Sequence, residues 1–389
     1  MVNSSNSKIL NNIIDNIYIE LGKKITHLHE PHTFGNEYEY VKKCIEDNMI
    51  SSMGKYINTF ENIISTFTKV KYCVSTVNGT SALHLSLLAE NVKSNDEVIM
   101  PSFNYVAAAN VTKYIGSSII FLDINNTSLT LDIDKLKDFL KNNTYKHNRF
   151  CINKKTNKRI KAIIVLHTFG HPANLAELVK ISKDYNISLI EDAAEAIGSQ
   201  YYGSHVGTFG SSGILSFNGN KTISAGNGGM ILTNSKKTYL KVKKLASISK
   251  KKHLWKYDYD EIGYNYKLSN INAAIGCAQM ENINFILKKK RQLFKRYKLR
   301  LKKFDNIKVL EEPKNCKSNY WLQTLIFKKP DKSILNQFLK ISHKKKIYTR
   351  PAWNLLHTLN YLKDSEINDL TISKKMVNSV VNLPSSSFL

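Results

Sequence analysis

Apolar residues four apart, Ile9, Ile13, Ile17 and Leu21, open the chain with the stripe of an amphipathic helix over residues 9–21. A loop with Pro31 and His32 separates it from a second helix over 37–47. From Tyr72 the rhythm changes to short β-branched and aromatic runs alternating with helical patterns. Strands are expected at 72–77, 97–100, 118–122, 162–166, 188–190 and 230–233, and helices at 82–89, 106–114, 134–140, 175–184 and 236–246. Such alternation predicts βαβ units and a mostly parallel sheet covered by helices on both faces. A polar, basic insertion at 142–161 interrupts it as a surface hairpin or loop, and the lysines and aromatics of 250–259 read as another loop. From Asn270 the pattern is helical to about Lys302; short strands (321–327 and 347–349) then mix with helices in a smaller α+β part. The chain divides on this reading into an N-terminal helix and arm (1–35), a large domain (36–255) and a small C-terminal domain (256–389).

With 389 residues, 42% of them hydrophobic, the chain is globular and long enough for two domains. Its net charge of +26 would suit an anionic partner. The lysines are scattered through every expected helix and loop, however, and no nucleic-acid-binding motif accompanies them, so they read as solvated surface. The five cysteines, Cys44, Cys73, Cys151, Cys277 and Cys316, form no CxxC pair and have no zinc spacing. No metal site is expected, and a reducing cytoplasm fits best. Neither a signal peptide nor an apolar run of membrane-spanning length is present, so no membrane association is expected.

Candidate chemistry centres on residues 213–229, GILSFNGNKTISAGNGG, where an apolar run ends at Phe217 and a single lysine, Lys221, stands in a polar turn closed by glycines. An amine condenses with an aldehyde only when deprotonated, so a lysine with that task needs a site that lowers its pKa. In a doubly wound sheet ligands bind at the carboxyl ends of the strands. Three other segments fall at such ends. Asn78-Gly79-Thr80-Ser81 turns a strand into a helix and reads either as an ordinary cap or as a phosphate site. Asp192, at the end of an apolar strand, reads either as a cap or as the partner of a pyridine nitrogen. Ser216 adds a hydroxyl. Lysine for an aldehyde, aspartate for a ring nitrogen and a helix start for a phosphate together specify pyridoxal phosphate.

The segments VNGTSAL, PSFNYVAAAN, HTFGHPAN, LIEDAAEAIGS, SFNGNKTISAGNGG and GYNYKLSNINAA resemble the DegT/DnrJ/EryC1/StrS family of sugar aminotransferases. LHEP, Ser51-Ser52-Met53-Gly54-Lys55-Tyr56 and SNYWL are most like the branch that makes nucleotide-linked 4-amino-4,6-dideoxy sugars, the LegC type. The resemblance implies a fold type I pyridoxal-phosphate transferase: a large domain with a mostly parallel seven-stranded sheet, and a smaller C-terminal α+β domain. It implies that Lys221 holds the cofactor and moves the proton, that Asp192 pairs with the pyridinium nitrogen and that Glu195 lies near the phenolic oxygen. Thr80, Ser81 and Ser216 would bind the phosphate, Tyr105 would stack on the ring, and Asn265 would reach the phosphate of a neighbouring subunit in a homodimer. Candidate substrate contacts are His167, Tyr320, Arg350 and His357. Lys267 stands where the family commonly has Arg, and Asn227 where it has Glu or Gly. The reaction implied is transfer of an amino group from L-glutamate to C4 of a UDP- or GDP-linked 4-keto-6-deoxyhexose, for surface glycans of legionaminic acid or bacillosamine type. The alternatives are a nucleotide-sugar 3-aminotransferase or dehydratase. The charge alone motivates a rival of another class, a nucleic-acid-binding regulator on the same scaffold.

Overall fold

In the computed structural model, which describes residues 4–251 and 253–389, the strand–helix alternation becomes one large sheet. Its central strands are β1 (Tyr72–Thr76), β2 (Asp96–Pro101), β3 (Ser118–Leu122), β4 (Arg159–Leu166), β5 (Ser188–Asp192), β6 (Ser212–Ser216) and β7 (Gly229–Thr233). They lie in the order β1-β7-β6-β5-β4-β2-β3. From β6 to β3 every neighbouring pair is parallel. Only β7 runs the other way, antiparallel to both β1 and β6. Alternate residues along a strand serve different cores, as the period of two demands: Ile163 and Val165 pack on one face and Ala162 and Ile164 on the other. Both faces are covered, which is why these strands read as continuous apolar runs.

Three short strands extend the sheet to ten. The basic insertion folds as a hairpin, Thr144–His147 against Phe150–Asn153, attached to the start of β4. Glu366–Ile367, from late in the chain, adds in parallel to the free edge of β3.

Two helical expectations change. The helix Lys55–Thr68 was not expected, although Tyr56, Phe60, Ile64 and Thr68 mark its buried stripe at four-residue spacing. The long helix read from Asn270 breaks at Asn282 into Asn270–Glu281 and Ile283–Leu301. The first piece is rich in small residues and mostly buried. A Cβ at Gly276 would lie 2.6 Å from the Phe60 ring, so this helix and Lys55–Thr68 approach closely only because glycine stands there. The second piece is amphipathic and carries its lysines outward, Lys290 excepted.

A four-stranded sheet orders Ile307–Val309, Gln323–Phe327, Val380–Leu383 and Arg350–Pro351. The strand expected at 347–349 is reduced to one parallel bridge, Ile347 to Thr26, and pairing resumes at Arg350. The N-terminal helix, Ser4–Glu20, packs here: Leu10, Ile13, Ile14 and Ile17 share a core with Leu293, Tyr297, Phe338 and Val381.

Candidate active site

β1, β5 and β6 end at the same edge of the sheet, and the polar residues that follow them converge there. After β1, Asn78 caps the helix Gly79–Ala89 by accepting the Ser81 N–H at 2.8 Å. A Cβ on Gly79 would stand 3.0 Å from Cβ of Ser216, so its absence lets the helix start press against the end of β6. Thr80 and Ser216 line the resulting hollow; Ser81, buried and engaged by the cap, does not.

Lys221 closes the turn after β6, its N–H donating to the Asn218 carbonyl at 2.9 Å. Its Nζ stands 3.8 Å from Oε1 of Glu195 and 3.9 Å from the centroid of the Trp321 ring. Burial lowers the lysine's pKa, opposed by Glu195 and Asp192. Burial likewise pushes Glu195 up to about 7 against the pull of Lys221, and raises Asp192. Burial thus disfavours the charged form of all three groups, and a less basic amine is more readily the deprotonated nucleophile. Glu195 is steadied by the Phe169 N–H on Oε2 at 2.8 Å. Asp192, the last residue of β5, takes the Ala194 N–H on Oδ1 at 3.2 Å and lines the hollow.

Trp321 is fixed by two bonds: its Nε1 donates to the Asn220 carbonyl at 2.7 Å and its N–H to Oδ1 of Asn319 at 2.8 Å. Asn319 in turn donates through Nδ2 to the carbonyls of Glu195 and Ile197 and to Oγ1 of Thr222. The sequence reading missed both residues, although they flank Tyr320 in the segment SNYWL.

Thr80, Asp192, Glu195, Ser216, Lys221 and Trp321 share a cleft of about 760 Å³. Tyr105 and Arg350 also line it, Tyr105 half exposed with its ring edge against Trp353. Three expected substrate contacts lie elsewhere. His167 is fully buried; its Nδ1 accepts the Ala173 N–H at 3.1 Å, so Nε2 carries the proton and donates to Glu191 at 3.1 Å. The ring is thereby spent on fixing Glu191, which also accepts the N–H groups of Gly207, Phe209 and Gly210. Tyr320 is buried and stacked on Phe294 at 4.1 Å, its hydroxyl accepting the Glu312 N–H. The Nδ1 of His357 is engaged by Ser102 Oγ at 2.7 Å, in a short turn outside the cleft. Asn265 is exposed and lies away from this chain's cleft, bridged to Ser247. Lys267 lines a separate, smaller hollow beside Glu61 and Lys243, whereas Asn227 is on the cleft wall. Among the described residues no cluster of three or more His, Cys, Asp or Glu could hold a metal ion. No helix among them is long and apolar enough to cross a membrane.

A strand-end lysine facing two buried carboxyls beside a helix start, on this sheet order, defines an α/β aminotransferase of fold type I. The sequence profile of the DegT/DnrJ/EryC1/StrS aminotransferase family matches residues 32–389, and the chain belongs to that family. It is 36% identical over 332 residues to a GDP-perosamine synthase of Escherichia coli O157:H7, covering 85% of each chain. It is 34% identical over 337 residues to EpsN of Bacillus subtilis (strain 168), named a putative pyridoxal phosphate-dependent aminotransferase, covering 86% of this chain and 83% of that one. The fold matches that of the aminotransferase TlmJ from Streptoalloteichus hindustanus with a TM-score of 0.84 at 23% identity, over 94% of both chains.

Proposed function

We propose that this aminotransferase takes an amino group from L-glutamate and places it on C4 of a nucleotide-linked 4-keto-6-deoxyhexose, with pyridoxal phosphate as cofactor. The observation that carries the reading is the partly buried Lys221 amine held between Glu195 and Trp321, with Asp192 on the same cleft. Similarity to the GDP-perosamine synthase supports a nucleotide-sugar acceptor and favours GDP as its carrier. UDP remains the second carrier, for a product of the legionaminic acid or bacillosamine type.

The residues fit the cofactor. The helix start at Gly79, bare of a side chain where it meets Ser216, suits a phosphate taken by backbone N–H groups with Thr80 and Ser216. Among the described residues Asp192 takes one backbone donor on its carboxyl, and it would face the ring nitrogen; Glu195 would lie near the phenolic oxygen and Tyr105 against the ring. When bound, the cofactor supplies the electron sink that lets the C–H bond beside the amine break. Lys221 would hold the cofactor through its aldehyde, and its Nζ, on the cleft, would move the proton at the donor's carbon and at C4 of the acceptor sugar. Asp192 would hold a proton on the ring nitrogen. Trp321, pinned by Asn220 and Asn319, fixes the lysine's position and keeps water from one side of it. The exposed Asn265 suits a contact with the phosphate in a second copy of the chain, giving a homodimer with shared sites in the cytoplasm.

The test is the near-ultraviolet and visible absorption of protein incubated with pyridoxal phosphate, before and after L-glutamate, beside Lys221→Ala. The expected result is a yellow band that bleaches with glutamate and never forms in the variant. Protein that stays colourless would overturn the reading. Amine transfer to GDP- or UDP-linked keto sugars then identifies the acceptor.

A further inference from the structure

A second set of side chains lines the same cleft and takes no part in the chemistry assigned to Lys221. It is built from two segments far apart in sequence. The Tyr348 N–H donates to the Thr26 carbonyl at 2.9 Å and the Thr26 N–H to the Lys346 carbonyl at 3.1 Å, a parallel bridge that sets His27 beside Tyr348. Their rings stack at 5.0 Å between centroids and 15° between planes. His343 packs edge-to-face with Tyr348, the ring centroids 5.5 Å apart at 81°, held by its Nε2 donating to the Thr349 carbonyl at 2.8 Å. His27 is exposed, so the pile of rings ends in the open cleft. Arg350, two residues past Tyr348, lines the cleft too and has no ion-pair partner among the described residues.

Each part has a ligand chemistry. Flat rings already stacked in parallel accept another flat ring, whatever its hydrogen-bonding edge. A guanidinium without a carboxylate presents the fork that binds phosphate oxygens in pairs. A nucleoside diphosphate carries both parts, a flat heteroaromatic ring and a diphosphate. We propose that His27 and Tyr348 form the stacking platform for the base of the nucleotide-linked substrate, and that Arg350 takes its diphosphate. The assignment rests on the nucleotide-sugar reading above and adds which residues of this chain hold the nucleotide. It makes these residues recognition groups for the acceptor alone, because glutamate has neither a flat ring nor a diphosphate.

The experiment measures binding of GDP, UDP and inorganic pyrophosphate to the holoenzyme by calorimetry, and the glutamate half-reaction by bleaching of the cofactor band. The variants are His27→Ala, Tyr348→Ala, their Phe counterparts, and Arg350→Gln. The expected result is roughly tenfold or greater weakening of GDP or UDP by either Ala variant, with both Phe variants near wild type and pyrophosphate unmoved. Arg350→Gln weakens nucleotide and pyrophosphate together. All variants keep the glutamate half-reaction, which also reports that they are folded. Because His27 is exposed, its variants remain informative if Tyr348→Ala fails to fold. Nucleotide binding unchanged in the Ala variants, or a glutamate half-reaction lost with Arg350→Gln, overturns the subsite alone. A wild-type enzyme that bleaches with glutamate yet binds neither nucleotide overturns the nucleotide-sugar reading as well.

Discussion

Lys221, Asp192 and Glu195 are carried on the ends of neighbouring strands and the turns that follow them, deep in the protein, where burial moves the pKa of every one. His27, Tyr348 and Arg350 share the cleft but come from an arm and a strand edge joined by a single backbone bridge. His27 and Arg350 are exposed. On the roles proposed, the first set owes its reactivity to desolvation and would be chemically silent in water, whereas the second would work by shape and fixed charge and can stand in solvent. If so, one cleft divides reaction from recognition by depth, and the two sets should fail differently when altered.

The largest effect belongs to the buried set. Lys221→Ala should lower turnover by roughly 10⁴-fold or more, measured by rapid mixing with glutamate, while nucleoside diphosphate binding survives. Asp192→Asn should cost roughly a hundredfold or more in the same half-reaction. It should fold normally, since the Asn oxygen can still accept the Ala194 N–H. Loss of nucleotide binding in either variant would erase the distinction between the sets.

A third expectation concerns stability. Glu195 keeps its proton up to about pH 7 in the folded protein, above the ordinary carboxylate value that governs the unfolded chain. Between those two pH values only the unfolded chain gives up the proton, so stability of the cofactor-free protein falls as pH rises through the window and levels off above about 7. Glu195→Gln should remove that slope and raise stability at alkaline pH by on the order of 3 kcal/mol, read by urea titration at several pH values. An unchanged slope would mean the carboxyl is ionised throughout.

His167→Gln sharpens the contrast from outside the cleft. Glu191 loses one donor but keeps three backbone N–H groups, so the variant should lose about 1–3 kcal/mol of stability. Its glutamate half-reaction, measured well below the lowered melting temperature, should stay within a few-fold of wild type.

How far the sequence revealed these two sets follows from how they are assembled. The strand-end set was legible because each residue sits at a local transition from an apolar run to a polar turn, at Thr76 to Thr80, Ile190 to Asp192 and Phe217 to Lys221. The parallel sheet follows from the same runs. Trp321 was passed over for its neighbour Tyr320 because both are large aromatics in one motif. Only the fold shows that Tyr320 turns to Phe294 while Trp321 faces the lysine. His167 looked chemical because it follows a strand end, yet its place is beneath the surface against Glu191. His27 beside Tyr348 had no local signal, since a bridge across the length of the chain is a tertiary event. The break at Asn282 was hidden too, because helix-compatible residues run on both sides of it and no proline or glycine marks the stop.

The N-terminal helix carries a consequence for how the protein is made. Leu10, Ile13, Ile14 and Ile17 find their packing partners only among residues such as Leu293, Phe338 and Val381. During synthesis this helix therefore waits, its apolar stripe uncovered, until residues as late as Val381 have followed it. The large sheet can close before then, from strands that lie between Tyr72 and Thr233. The nascent chain can thus have its large sheet before the N-terminal helix is covered, and the contact of that helix with residues 293–383 is among the last to form, the step at which aggregation competes most with folding.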